Sequence, residues 1–287
     1  MNAGERTEII NKVKEALISA GSTFTEDKFS CYGTVLNDEE NDLSKWAMET
    51  IVENAKAAKR DRSPLCDDTG IPHLMIEIGK NRSLSGDFID AIYEGVREGL
   101  KQLPGRPMAI MGDDNERISQ SGRLDERSDA VLPAPLMLRK SENADLLKLT
   151  ILMQGGGPEI RAKTYRIFHR HSMDCVIDEI IAWAKESVPQ LGCSPCTLAV
   201  GIGRSHYEAS SLMIQAMAEG NYNEQTSFEK KITEGVNEIG SGALGLGGAH
   251  SVLATFMKVG PQRASGVRIV CMRPCCCFEP RKSSVEF

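Results

Sequence analysis

The chain has 287 residues, 41% of them hydrophobic, and a formal net charge of −6 at pH 7. This much apolar material can bury a sizeable core and excludes a disordered chain, and the mild acidic excess gives no electrostatic basis for coating a nucleic acid. The N-terminus lacks the apolar core of a signal peptide, and no stretch reaches the roughly 18 apolar residues that span a bilayer. We therefore expect a cytoplasmic protein that binds neither nucleic acid nor a membrane, with small anions left open as ligands.

Apolar periodicity predicts helices early in the chain. One apolar face repeats through residues 9–17 and another through residues 88–100, for which Asp87 is the expected N-cap. Between them, IPHLMIEIG has the composition of a strand, which places residues 66–69 on the loop that enters it. The segment 103–128 is polar and rich in turn residues, so we expect a long loop there.

The second half of the chain alternates strand and helix patterns. AVLPAPLMLRK and LLKLTILMQ look like paired strands, and a helix is expected from about Ser172 to Lys185. A strand TLAVGIG, two helices and the strands SVLATFMKVG and SGVRIVCMR follow. Helices first and strands later favour an α+β class, a mixed helical and β-sheet fold, in a single domain over residues 1–287 whose first part, about 1–60, is helical.

Nine cysteines in a reducing compartment do not indicate a disulfide framework. Cys66 is unusual because Asp67 and Asp68 follow it directly, and two carboxylates are poor neighbours for a packed thiol. A bound cation would offset those charges and give the carboxylates a role, which favours metal ligation at this loop. The cysteines that we expect to be small buried hydrophobes are Cys31, Cys175 and Cys271.

Other motifs point to chemistry less specifically. CSPC has the shortest spacing of zinc and redox sites, but no second pair of ligands follows at finger-like distance. GIGRSH and GSGALGLGG do not have the glycine pattern and the strand–turn–helix order of a dinucleotide site. QGGGPEIRAK is either a strand-to-helix turn with a solvated first helical turn or a cradle of backbone amides for a carboxylate.

Taken in order, PLCDDTG, GGGPE, GCSP, GLGG and a late cysteine followed by FEPRK resemble the α subunit, or N-terminal domain, of the iron–sulfur hydro-lyases that include class I fumarases and L-tartrate dehydratases. The resemblance runs from about residue 45 to the C-terminus. It implies a 4Fe-4S cluster held by three cysteines, with the fourth iron open to substrate. The implied reaction is reversible dehydration of a small 2-hydroxy-dicarboxylic acid of the fumarate/malate or tartrate type.

The resemblance also assigns roles to residues. The implied cluster ligands are Cys66, Cys193 and Cys277. The third position can shift to Cys275 or Cys276, and Cys196 falls where the family needs no cysteine. Asp68 matches the catalytic acid. The residues that match substrate-binding positions are Asp67, Arg106, Gly155, Gly156 and Gly157.

Three departures concern the residues expected to contact substrate. Asp67 stands where the family commonly has glutamine, Pro158 and Glu159 follow the glycines in place of Ser-Glu-Asn, and a histidine expected before the third ligand is absent. The resemblance therefore supports the cluster and the reaction class better than it supports fumarate itself, and leaves malate, tartrate, mesaconate and substituted malates open.

In the resembling enzymes a second module completes the active site, and no residues follow Phe287 to supply it. We expect a β subunit as partner, with two copies of each chain forming a heterotetramer. Two rival hypotheses remain: a zinc or thiol-redox protein that uses CSPC and the CCC run, and a catalytically inactive scaffold homologue.

Overall fold

The computed structural model describes residues 1–287, which divide into two compact units. The first unit consists of Met1–Phe24, Ala55–Gly155 and Arg281–Phe287, and the second of Thr25–Asn54 and Gly156–Pro280. Because the chain passes between the units four times, neither unit is one continuous segment. Such a division is compatible with one domain or two, so the single domain over residues 1–287 stays a prediction.

The secondary structure mixes helices and strands along the whole chain. The helices are α1 (Ala3–Ser22), α2 (Glu26–Asp38), α3 (Asp42–Asp61), α4 (Gly86–Gln102), α5 (Asp114–Ser119), α6 (Gly156–Glu159), α7 (Met173–Ser187), α8 (His206–Glu219) and α9 (Ser227–Asn237). The strands are β1 (Ile71–Ile78), β2 (Met137–Lys140), β3 (Leu147–Gln154), β4 (Lys163–Phe168), β5 (Cys196–Gly203), β6 (Val252–Val259), β7 (Val267–Cys275) and β8 (Arg281–Glu286). No helix combines the length and the apolar content needed to cross a membrane.

The first unit contains a four-stranded mixed sheet in the order β2-β1-β3-β8. β2 runs parallel to β1, whereas β3 is antiparallel to both β1 and β8. Helices α1 and α4 share one apolar core with this sheet. Gly95 and Gly99 lie one turn apart on α4, where a Cβ atom would come within 3.0 Å of Val13 and Leu17, so these glycines allow the close approach of α1.

The second unit contains a four-stranded mixed sheet in the order β4-β7-β5-β6. Its apolar core joins α7 and α9 to β5, β6 and β7, with Leu198, Val200 and Ile202 of β5 in that core. Gly201 and Gly203 alternate with these residues, and a Cβ atom on either would meet the backbone of α8. The alternation therefore places α8 on the opposite face of the sheet.

The α+β class is confirmed by these two mixed sheets and their helices. Two local predictions are wrong. The cap of α4 is Ser85, whose side chain accepts a hydrogen bond from the Phe88 amide, while Asp87 lies in the first turn, a position that also favours an acidic side chain. The strands predicted to pair, β2 and β3, lie on either side of β1 instead, because β1 has both of its edges available to them.

Two further elements were not predicted and one segment is more ordered than expected. β4 and β8 both lie at the edges of their sheets. The predicted loop 103–128 contains the short helix α5 and an antiparallel bridge between Ile110 and Leu124.

Candidate functional site

The CDDTG segment of the first unit connects α3 to β1. Leu65 is 2% exposed and anchors the start of the segment, and the Thr69 amide donates to the Asp67 carbonyl at 2.9 Å. At its end, Gly70 has a φ of +91°, and a Cβ atom there would lie 2.7 Å from the Arg281 guanidinium. Only glycine combines this backbone conformation with this approach, which explains the Thr-Gly pair before β1.

Arg281 fixes the backbone of the same segment. Its side chain is 2% exposed, its Nη1 donates to the carbonyl oxygen of Asp68 at 2.6 Å, and its Nε donates to the carbonyl oxygen of Met153 at 3.2 Å. The arginine of FEPRK therefore connects the predicted catalytic acid to the end of β3. This role of Arg281 was not predicted, although the residue lies inside a motif that the sequence singled out.

Two residues predicted to bind substrate contact each other in the first unit. Arg106 Nη1 donates to Asp67 Oδ2 at 2.9 Å, and the two side chains are 51% and 78% exposed. An ion pair this exposed contributes about 1 kcal/mol or less, since water competes for both partners. A carboxylate ligand can therefore replace Asp67 on the guanidinium at little cost.

Two of the three predicted cluster ligands meet in the second unit. Cys193 is exposed and precedes a cis Ser194–Pro195 bond, while Cys277 is 3% exposed. The Cys277 amide donates to the Cys193 carbonyl oxygen at 2.8 Å, so the two loops are in contact. Cys66 is half-buried in the first unit. Its association with Cys193 and Cys277 stays a prediction.

The glycine-rich segment 240–248 supports the Cys193 loop. Ser194 Oγ donates to the Gly242 carbonyl at 2.6 Å, and the Leu244 amide donates back to the Ser194 carbonyl at 3.1 Å. Gly242 has a φ of +62°, which favours glycine at this point of the turn. GSGALGLGG therefore supports the loop that carries Cys193. This role agrees with the sequence analysis, in which the segment lacks the glycine pattern of a dinucleotide-binding site.

A buried ionic network lies beside the run of three cysteines. The Arg273 side chain is fully buried and donates to Glu279 Oε2 at 2.5 Å, to Glu159 Oε2 at 3.1 Å and to Cys275 Sγ at 3.4 Å. Burial lowers the pKa of Arg273, but Glu279, Cys275 and Glu159 together raise it by more, so the side chain stays charged. The network joins the GGGPE turn to the FEPRK turn, and neither Arg273 nor Glu279 was predicted as functional.

Helix α2 contributes two further buried groups. Lys28 Nζ donates to the Glu279 carbonyl oxygen at 2.7 Å, and the Tyr32 hydroxyl donates to the Cys277 carbonyl oxygen at 3.0 Å. Burial lowers the pKa of Lys28 to about 8, and the nearby thiols and carboxylate act in the opposite direction. A signal for Lys28 exists in the sequence, because Tyr32 and Val35 continue its face at helical spacing and are buried.

The remaining cysteines divide by burial. Cys196 is fully buried in the core of the second sheet, and burial raises the pKa of its thiol well above the usual range. This placement does not favour the zinc hypothesis, because a core thiol beside an exposed Cys193 is no closed zinc site. Burial was predicted correctly for Cys271, whereas Cys31 and Cys175 are only half-buried.

The three predicted glycines fall where β3 ends. Gly155 closes the first unit, and Gly156 and Gly157 begin the single turn α6 of the second. The segment therefore forms a strand-to-helix turn, but the helix is only one turn long and β4 follows it. Their use as a carboxylate cradle stays a prediction.

No group of three or more His, Cys, Asp or Glu side chains is arranged to hold a metal ion in this structure. The thiols of Cys193 and Cys277 are nevertheless the donor type that iron–sulfur clusters use. They lie on contacting loops, and the buried ammonium of Lys28 binds the loop that carries Cys277. Their chemistry fits an anionic iron–sulfur group. An apolar cavity of about 510 Å³ opens elsewhere in the second unit, and none of the predicted site residues lines it.

Comparison with known proteins places these observations in one family. A family profile described as "Fumarate hydratase (Fumerase)" matches residues 10–286. A Methanocaldococcus jannaschii protein named putative L(+)-tartrate dehydratase subunit alpha is 25% identical over 263 residues, which are 88% of each chain. The L(+)-tartrate dehydratase subunit alpha of Escherichia coli K12 is 20% identical over 96% of this chain and 91% of its own. A Geobacillus stearothermophilus protein named putative fumarate hydratase class I is 28% identical over 75% of this chain but only 42% of its own.

Proposed function

Because this chain belongs to the fumarate hydratase (Fumerase) family, we propose that it is the α-type subunit of a 4Fe-4S hydro-lyase that reversibly dehydrates a small 2-hydroxy-dicarboxylic acid. Family membership and the names of its relatives identify it as a hydro-lyase. The observation that carries the proposal is the match of the family profile to residues 10–286, which include every cysteine loop discussed above.

The proposed cluster ligands are Cys66, Cys193 and Cys277. The contact between the loops of Cys193 and Cys277 supports the pairing of these two ligands. When bound, the cluster would supply an open iron that acts as a Lewis acid on the hydroxyl and a carboxylate of the substrate.

The residues of the first unit would handle substrate and proton. We assign Asp68 to proton exchange with the departing hydroxyl, and its backbone is held in place for this by Arg281. Arg106 would bind the distal carboxylate with two parallel hydrogen bonds after releasing Asp67. The amides of Gly155, Gly156 and Gly157 would bind the other carboxylate.

A β-type partner is proposed to complete the active site. Two relatives are named subunit alpha, and this chain spans less than half of the fumarate hydratase from Geobacillus stearothermophilus. The β-type partner would supply the rest of the active site, and two copies of each chain would form the heterotetramer.

The test is purification with the presumed partner without oxygen, followed by reconstitution with iron and sulfide. We expect a brown protein that approaches the four irons per chain of a 4Fe-4S cluster, bleaches in air, and dehydrates at least one hydroxy-dicarboxylic acid. Cys66→Ser, Cys193→Ser and Cys277→Ser should each lose iron and colour. Cys271→Ser and Cys175→Ser are matched controls and should keep both. A colourless wild-type protein, or full iron content in Cys193→Ser, would overturn the proposal.

A further inference from the structure

Helix α2 holds the turn that follows the cysteine run through two side chains. Lys28 and Tyr32 are four positions apart, so they lie on the same face of the helix, and both are fully buried. Lys28 Nζ donates to the Glu279 carbonyl oxygen at 2.7 Å, and the Tyr32 hydroxyl donates to the Cys277 carbonyl oxygen at 3.0 Å. The backbone of residues 277–279 is thus bound at both ends by one helix face.

The two donors differ in charge, and this difference needs an explanation. Two carbonyl oxygens can be satisfied by neutral hydroxyl or amide donors, as Tyr32 demonstrates at Cys277. An ammonium group removed from water costs several kcal/mol unless nearby negative charge compensates it. A buried lysine at this position therefore indicates that negative charge lies next to it.

The ammonium lies at the turn that directly follows the run of three cysteines, because it donates to the carbonyl oxygen of Glu279, two residues after Cys277. The thiols of this run and the Glu279 carboxylate act to raise the pKa of Lys28, against the larger effect of burial. That carboxylate is also bound by Arg273 at 2.5 Å. The ring of Tyr222 lies 6.0 Å from Nζ. On the helix itself, Asp27 accepts a hydrogen bond from the Tyr222 amide.

We propose that Lys28 is a charge-compensating positioning residue for the anionic iron–sulfur group that Cys277 helps to hold, and that Tyr32 is its neutral counterpart, which only positions the turn. This inference rests on the proposed function. A buried cation stabilises neighbouring negative charge strongly, because little water screens the interaction. Reduction of an iron–sulfur cluster adds one negative charge, so Lys28 raises the reduction potential as well as the retention of the cluster.

Lys28→Met, Tyr32→Phe and Lys28→Arg separate charge from position. In the reconstituted complex, Lys28→Met should lower the midpoint potential, measured by an EPR-monitored redox titration, and should lose iron in air several-fold faster than wild type. Tyr32→Phe should lose iron faster at an unchanged potential. Lys28→Arg, which keeps the charge, should restore the potential at least in part, and the exposed Lys230→Met is the matched control that should change neither quantity.

The thermal unfolding of the cluster-free forms separates a folding defect from a charge effect. Lys28→Met and Tyr32→Phe each leave a backbone carbonyl oxygen of the buried turn without its donor, so both should unfold at a lower temperature than wild type, and only Lys28→Met should also shift the potential. Should this variant fail to fold, Lys28→Gln serves for the same titration. A cluster-loaded Lys28→Met or Lys28→Gln with the wild-type potential would overturn this inference alone. A wild-type complex that takes up no iron would overturn the proposed function and this inference together.

Discussion

The guanidinium of Arg281 donates a hydrogen bond to the carbonyl oxygen of Asp68 at 2.6 Å, across 213 positions of sequence. The same side chain also binds the carbonyl oxygen of Met153, so one buried cation connects the end of β3 to the segment that carries the proposed catalytic acid. The position of Asp68 therefore depends on a motif at the other end of the chain.

We expect Arg281→Met to destabilise the protein by about 2–4 kcal/mol, because the buried Met153 carbonyl oxygen and the partly buried Asp68 carbonyl oxygen lose a charged donor. The free energy of unfolding from urea denaturation measures this loss. Arg117→Met, at a side chain that is 58% exposed, is the control and should change stability by less than about 0.5 kcal/mol. Equal effects of the two substitutions would contradict the role of Arg281.

Gly70→Ala should destabilise the protein by about 1–3 kcal/mol, because a Cβ atom in this backbone conformation is strained and meets Arg281 at 2.7 Å. Gly33→Ala within α2 is the matched control. A Cβ atom there meets nothing within 4 Å, so helix propensity predicts stabilisation by about 0.5–1 kcal/mol. Thermal unfolding of both variants would show shifts of opposite sign, and two shifts of the same sign would count against the assignment of Gly70.

Asp68→Asn should leave iron content unchanged and lower kcat by about 10²-fold or more, since the amide cannot exchange the proton. Iron analysis and steady-state kinetics on the reconstituted complex test the two halves of this prediction separately. Retention of more than about a tenth of wild-type turnover would remove Asp68 from proton transfer.

The pair of Arg106 and Asp67 predicts opposite changes in KM. Asp67→Asn frees the guanidinium of its ion partner, and an exposed pair of at most about 1 kcal/mol corresponds to a KM lowered by up to about 5-fold. Arg106→Lys loses the planar pair of donors and should raise KM for a dicarboxylate by about 10-fold or more. A raised KM in Asp67→Asn would instead indicate that Asp67 itself binds the substrate.

The stability contributed by Glu39 depends on pH. This buried carboxylate accepts hydrogen bonds from the amides of Asn41 and Ala249 and from the Ser44 hydroxyl. Burial raises the pKa of Glu39, but the three hydrogen bonds together lower it by more. The pKa in the folded chain therefore lies below the ordinary 4.5. A lowered carboxylate pKa stabilises the fold above the unfolded pKa, and the contribution is lost as the pH falls through the folded pKa.

Glu39→Gln should therefore cost about 1.5–3 kcal/mol at pH 7, with the difference from wild type shrinking below pH 4.5. Denaturation at a series of pH values measures this difference directly. Because Ala249 follows the glycine-rich segment that supports Ser194, we also expect Glu39→Gln to loosen the Cys193 loop. A difference between wild type and variant that is constant from pH 7 to acid would contradict the carboxylate's role.

The spacing of apolar residues located the helices and strands that bury one face. It did not locate strands in which buried and exposed positions follow no regular pattern. β5 is buried at every position and was recognised as a strand, whereas β4 and β8 are edge strands with half-exposed side chains. An edge strand lacks the clear alternation that identifies a strand with one buried face. The pairing of β2 with β1 could not be predicted either, because the local sequence does not indicate which distant strand a segment will pair with.

The sequence motifs predicted the candidate site, but not the buried side chains that hold its loops in place. The order of motifs indicated Cys193 and Cys277, whose loops are in contact. Arg273 and Arg281 were missed, because charged residues are expected at the surface and only the fold shows that these two are buried. Lys28 was missed although it shares a helix face with Tyr32 and Val35.

Strand β8 has a consequence for how the protein is made. The hydroxyl groups of Thr150 and Ser284 lie 2.9 Å apart although they are separated by 134 positions, since β8 pairs with β3. On the ribosome, β3 has an open edge until residues 281–286 emerge, so the unit that begins the chain is the one completed last. An open strand edge is a template for pairing between chains. A nascent or truncated polypeptide ending before Arg281 is therefore the form of this protein most prone to aggregate, and the one on which chaperones would be expected to act.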